Sequence, residues 1–110
     1  MRWIFDLYTS FYHSPELRKI RMRIDLGRTD FVKREGNAEE MAELDDFLNF
    51  FEFVAYLHEQ GELNDDEVRS MFDYSLRKLA KDKALAEYVD KPEYGYEKLP
   101  KLLRKLGYDT

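Results

Sequence analysis

An all-α fold, a compact bundle of four to six helices around one long central helix at about residues 38–60, is what this sequence predicts, on three observations. Apolar residues recur at i, i+3, i+4 and i+7 over most of the chain. Capping and stop residues fall where those patterns begin and end. No alternating strand pattern, internal repeat or low-complexity stretch interrupts them. A chain of 110 residues has the usual size of one domain, so a single unit over 1–110 with one core is expected.

The first segment, about Arg2 to Tyr12, sets Ile4, Leu7, Tyr8 and Phe11 on one face beside Trp3. Ser14 then offers an N-cap, Pro15 a first helical position that needs no N–H, Glu16 a charge suited to the positive helix end, and Gly27 a stop. Leu17, Ile20 and Ile24 form the apolar stripe of this second helix, and Arg18, Lys19, Arg21 and Arg23 cover much of the rest as a candidate basic face. Residues 28–37 read as a connecting loop or a single turn, tucked onto the core by Phe31 and Val32.

Asn37 with Glu40 makes a capping box that opens the longest helix, Ala38 to Gln60, which stops at Gly61. The link to the next helix is short, so the two must pack antiparallel. Asn64 with Glu67 is a second capping box, followed by Val68, Met71, Phe72, Ser75, Leu76 and Leu79 in unbroken helical phase. That phase is lost at residues 81–83, where Asp82 restarts a short helix carrying Leu85, Tyr88 and Val89. Pro92 and Gly95 mark a loop. A last helix presents Leu99, Leu102, Leu103 and Leu106, with Pro100 in its first turn and Gly107 after its end.

Composition narrows the function. Hydrophobic residues make up 44% of the chain, with 8 Phe, 8 Tyr and 1 Trp, which argues for a packed core although 37% of residues are charged. The absence of Cys excludes disulfides, zinc–thiolate sites, iron–sulfur clusters and thiol nucleophiles, and is compatible with a reducing cytoplasm. No segment reaches the ~20 apolar residues of a membrane span, and the opening MRWIFDLYTSFYH is a poor signal peptide, so a soluble, cytoplasmic chain is expected. The net charge of -5 conceals a basic start (+4 over 1–34), an acidic middle (-12 over 35–75) and a basic end (+3 over 76–110). Such blocks can neutralise one another within a fold or between two chains.

On the central helix, Met41, Leu44, Phe47, Leu48, Phe51, Val54 and Ala55 share a face that Phe50, Phe53 and Leu57 widen to nearly the whole girth. A helix so apolar must be surrounded by other helices or by a second subunit. The remaining Asp45, Asn49, Glu52, Tyr56 and Glu59, spaced by 4, 3, 4 and 3, read as one narrow polar line. That line is a strip facing water or a rim where Glu52 meets a basic side chain of the Arg18 to Arg23 helix, or else a groove in which Asn49, Glu52 and Tyr56 bind a partner or ligand.

Catalytic and metal signatures are missing. His13 reads as a linker residue and His58 as a residue suited to the negative helix end. Neither belongs to a Glu-x-x-His or His-Glu-x-x-His pair. The five Gly are scattered, without a phosphate-binding loop, and Asn64-Asp65-Asp66-Glu67 fits capping better than a calcium loop. Neither a cofactor nor a metal is implied. RKIRMR with Arg28, together with Lys101, Arg104 and Lys105, could contact phosphates, with Tyr94 or Tyr96 to stack on bases, but a pI near 5.1 speaks against nucleic acid.

At Phe11-Tyr12-His13-Ser14-Pro15-Glu16-Leu17-Arg18, Leu48-Asn49-Phe50-Phe51-Glu52-Phe53, Gly61-Glu62-Leu63 and Met71-Phe72-Asp73-Tyr74, the chain resembles a family of small all-helical prokaryotic proteins of unknown function, over about residues 11 to 106. The resemblance implies an all-helical fold, draws attention to Asn49 and Glu52, and carries no activity. The expected function is a non-enzymatic protein–protein interaction module that associates with itself or with another protein. The alternatives are a ligand-binding or enzymatic bundle centred on Asn49, Glu52 and Tyr56 and, below it, nucleic-acid binding through the basic 18–28 helix.

Overall fold

The computed structural model describes residues 3–33 and 37–109. Arg2, expected to open the first helix, and residues 34–36 of the connection lie outside the described residues. Among the described residues seven helices follow one another: α1 (Trp3–His13), α2 (Pro15–Asp25), α3 (Asp30–Lys33), α4 (Ala38–Glu59), α5 (Asp65–Lys81), α6 (Lys83–Asp90) and α7 (Lys98–Lys105), with a 3-10 turn at Pro92–Tyr94. No strand is present among the described residues. The fold is the expected all-α bundle, and the seventh helix is the single turn α3 within the connection. Among the described residues no helix is long and apolar enough to cross a membrane.

Local chemistry accounts for the boundaries. The Ser14 hydroxyl accepts from the amide of Leu17, and Pro15 occupies the first turn of α2. Both capping boxes form, Asn37 with Glu40 on α4 and Asn64 with Glu67 on α5. Asp82 ends α5 and caps α6 by accepting the Leu85 amide. The same Asp82 carboxylate accepts a hydrogen bond from the buried Thr29 hydroxyl at 2.8 Å, which fastens the α2–α3 connection to the α5–α6 corner. Gly61, at φ +81°, turns the chain out of α4 where a side chain would be strained.

Helix α4 packs against α7, α2 and α5, while α6 bridges α5, α3 and α7. One hydrophobic cluster takes residues from all seven helices. At its centre Phe11 of α1 meets Phe47, Phe50 and Phe51 of α4 and Phe72 of α5, with ring centroids 5.2–5.8 Å apart and mostly in edge-on or tilted geometry. Each fully buried phenyl contributes about 1.5–3 kcal/mol relative to an exposed one. Rings meeting at their edges add about 0.5–1.5 kcal/mol per pair.

The charge blocks meet as their signs suggest. Lys19 of α2 lies 3.9 Å from Glu39 and 3.7 Å from Glu43, and Arg23 lies 3.5 Å from Glu40, all three acids in the first turns of α4. These pairs are partly or fully wet and worth about 0–1 kcal/mol each.

Candidate functional site

The polar line of α4 separates into two edges. Asp45, Glu52 and Glu59 recur every seven residues, nearly two helical turns, and all three turn toward the segment from α6 to α7. Asn49 and Tyr56 instead face solvent, on a row with Ala42, Asp46, Phe53 and Gln60.

Each acidic member has a defined task. Asp45 accepts the hydroxyl protons of Tyr88 at 3.0 Å and Tyr96 at 2.8 Å. Burial, then the adjacent Asp45 carboxylate, raises both phenols well above the ordinary tyrosine range. Tyr94 stacks on Tyr88 with centroids 4.1 Å apart. Glu52 accepts the backbone amide of Lys98 at 3.1 and 3.0 Å and that of Leu99 at 2.8 Å. The N-cap position of α7 is Glu97, whose side chain makes no capping bond, so Glu52 supplies the anionic cap from a different helix. Glu59 accepts a hydrogen bond from the Lys98 ammonium at 2.7 Å. That bond holds the Glu59 carboxyl below its usual range, and the same ammonium sits 5.9 Å from the Tyr56 ring centroid.

The expected meeting of Glu52 with a basic side chain of α2 does not occur: its partners are amides of α7. The α7 N-terminus, which lacks a cap of its own, is the stronger claimant because its orphan N–H groups converge on the carboxylate.

The basic face of α2 is dispersed. Arg18 is exposed and Lys19 and Arg23 point to α4. The Arg21 guanidinium stacks over Tyr12 at 4.9 Å and Phe11 at 5.7 Å. Its Nε and Oδ1 of nearby Asp25 are buried without hydrogen-bond partners. Burial raises the Asp25 carboxyl, against the opposing pull of Arg21 and Lys78. Of the two tyrosines considered for stacking on bases, Tyr96 is buried against Asp45 and Tyr94 is stacked on Tyr88.

One constellation has no counterpart in the sequence reading. His58 Nε2 lies 2.6 Å from Asp65 Oδ1, with the His58 side chain only 7% exposed. It joins the last turn of α4 to the first turn of α5. The hydrogen bond from His58 holds the Asp65 carboxyl below its usual range, with Arg69 and Lys105 adding to the effect. The two residues stand seven apart across Gly61, and only the tight turn there brings them together. Among the described residues no three of His, Asp and Glu converge as metal ligands. Comparison with protein-family models, curated proteins and solved structures finds no match to this chain.

Proposed function

We propose that the protein is a non-enzymatic protein–protein interaction module that self-associates through aromatic side chains left in water by the monomer. The observation that carries this reading is the exposure of large aromatics on two helices. Phe5 is 72% and Tyr8 49% exposed on α1, and Phe53 is 42% and Tyr56 43% exposed on α4, the last two rings lying nearly parallel at 6.4 Å. Leaving a phenyl group in water forgoes about 1.5–3 kcal/mol of burial, and aromatics concentrate where surfaces are later covered. Asn49 shares its exposed row with Phe53 and Tyr56, so the polar residues singled out in the sequence border the α4 aromatics in this reading.

The engagement of Asp45, Glu52 and Glu59 with α7 and its approach supports a structural role for those carboxylates over acid–base chemistry. The turning of Lys19 and Arg23 toward α4 likewise weakens a nucleic-acid face on α2. A cysteine-free chain is compatible with work in a reducing cytoplasm.

Sedimentation over a rising concentration series tests the reading. The 13.3 kDa chain is expected to gain mass toward a dimer, and the double variant Phe5→Ser, Tyr8→Ser to shift that transition at least about tenfold higher in concentration, with unchanged helical circular dichroism. A wild-type chain that stays monomeric to about millimolar concentration, the weak end of specific association, overturns it.

A further inference from the structure

A cleft of about 170 Å³ runs between the C-terminal half of α4 and α7, lined by His58, Glu59, Lys98, Lys101, Leu102 and Lys105. Its charge is unbalanced. Three lysines at i, i+3 and i+7 along α7 face one glutamate, and the neighbouring Asp65 is already held by His58 at 2.6 Å. The lysines are electrostatically in range of these acids: Lys101 acts on Glu59 and Lys105 on Asp65, each favouring the ionised carboxylate. Like charges at helical spacing repel one another, and Leu102 adds an apolar side chain to the lining.

Two contacts from α4 fix the start of this lysine row. Glu52 pins the first amides of α7, and Lys98 is tethered at its ammonium by Glu59 at 2.7 Å. Lys101 and Lys105 are exposed and lie along the same helix face, on the side of His58. The volume is smaller than the ~300–1,000 Å³ of pockets for drug-sized ligands, which limits the occupant to a compact molecule. Ammonium groups act as point charges and suit a small, densely charged oxyanion better than an extended planar one.

We propose that this cleft is an anion-binding site that takes a small soluble phosphoryl compound, a phosphate monoester or pyrophosphate, between Lys101, Lys105 and the His58 edge. A phosphomonoester carries about -1.5 to -2 charges at neutral pH, which matches the surplus of the lining. Binding would remove the lysine–lysine repulsion and stiffen the contact between α4 and α7.

Titration calorimetry and amide-resolved NMR at low salt, with pyrophosphate and glycerol 3-phosphate as probes, test the site on the full chain. Saturable binding is expected, with shifts confined to residues 55–59, 65 and 98–105. Lys101→Gln and Lys105→Gln, both at exposed positions, should each weaken it about fivefold, the size of one contact between unit charges in water. Lys83→Gln, at an exposed position of α6 outside the cleft lining, should leave it unchanged. No saturable binding of either probe, or binding that survives the Lys101→Gln, Lys105→Gln double variant, overturns the proposal.

Discussion

Glu52 is the residue on which the C-terminal part of the fold turns. A carboxylate set among phenyl rings invites a functional explanation because burying a charge is costly. Here the cost is met by three short contacts to the amides of Lys98 and Leu99, the pattern of a helix cap carried by another helix. Glu52→Gln removes the charge and replaces one accepting oxygen with a donor that faces N–H groups. It is expected to lower stability by about 1–3 kcal/mol. Chemical denaturation gives the magnitude, and hydrogen exchange gives the place, with the Lys98 and Leu99 amides losing protection before those of α4. Unchanged protection at both amides would count against the cap.

At the scale of elements, the α4–α5 hairpin shows how a local signal fixes a non-local pair. Gly61 follows the last residues of α4 at φ +81°, a conformation that costs an L-residue about 1–2 kcal/mol. A Cβ placed there would meet nothing within 4 Å, so the penalty of Gly61→Ala is backbone strain alone. Thermal and urea unfolding of Gly61→Ala should register about 1 kcal/mol of destabilisation, and Gly61→Asn a smaller loss because Asn tolerates the left-handed region. The same turn brings His58 against Asp65. The neighbouring element α7 has the opposite dependence: with no side-chain cap of its own, it relies on α4 for its start.

Across the whole molecule, tyrosines tie the end of the chain to its middle. Tyr88 and Tyr96 donate to Asp45, and Tyr108 donates to Asp73 on α5. Burial first, and then the Asp73 carboxylate, pushes the Tyr108 phenol up to about 12, and Tyr88 and Tyr96 are raised for the parallel reason. A phenol that keeps its proton in the folded chain after the unfolded chain has lost it stabilises the fold fully below about pH 10. The contribution fades as pH rises through the folded-state value. Urea unfolding at about pH 9 and about pH 11 should show a marked loss at the higher pH. Tyrosine absorbance should show a late-titrating group that moves to the ordinary range on denaturation; tyrosines that all titrate near 10 in the folded chain would contradict this account.

Most of the fold was legible in the sequence because helix formation is written locally. Ser14, Asn37, Asn64 and Asp82 cap where they stand, and the apolar phase of α5 names its buried face, Val68 to Leu79. The candidate site was legible only in part. Spacing placed Asp45, Asn49, Glu52, Tyr56 and Glu59 on one line, but a difference of tens of degrees around a helix decides which neighbour covers a side chain. That is why Asn49 and Tyr56 face water while Asp45, Glu52 and Glu59 hold the approach to α7. Phe53 was counted with the apolar girth and is 42% exposed, since periodicity reports a helix's own faces and not how many are covered. The sequence by itself determined the helices, their ends and the central place of α4, through contacts that span a turn or two. Only the tertiary structure decided the partners of Glu52 and the lysine cleft, because these rest on distances between residues that the chain holds far apart until the helices pack.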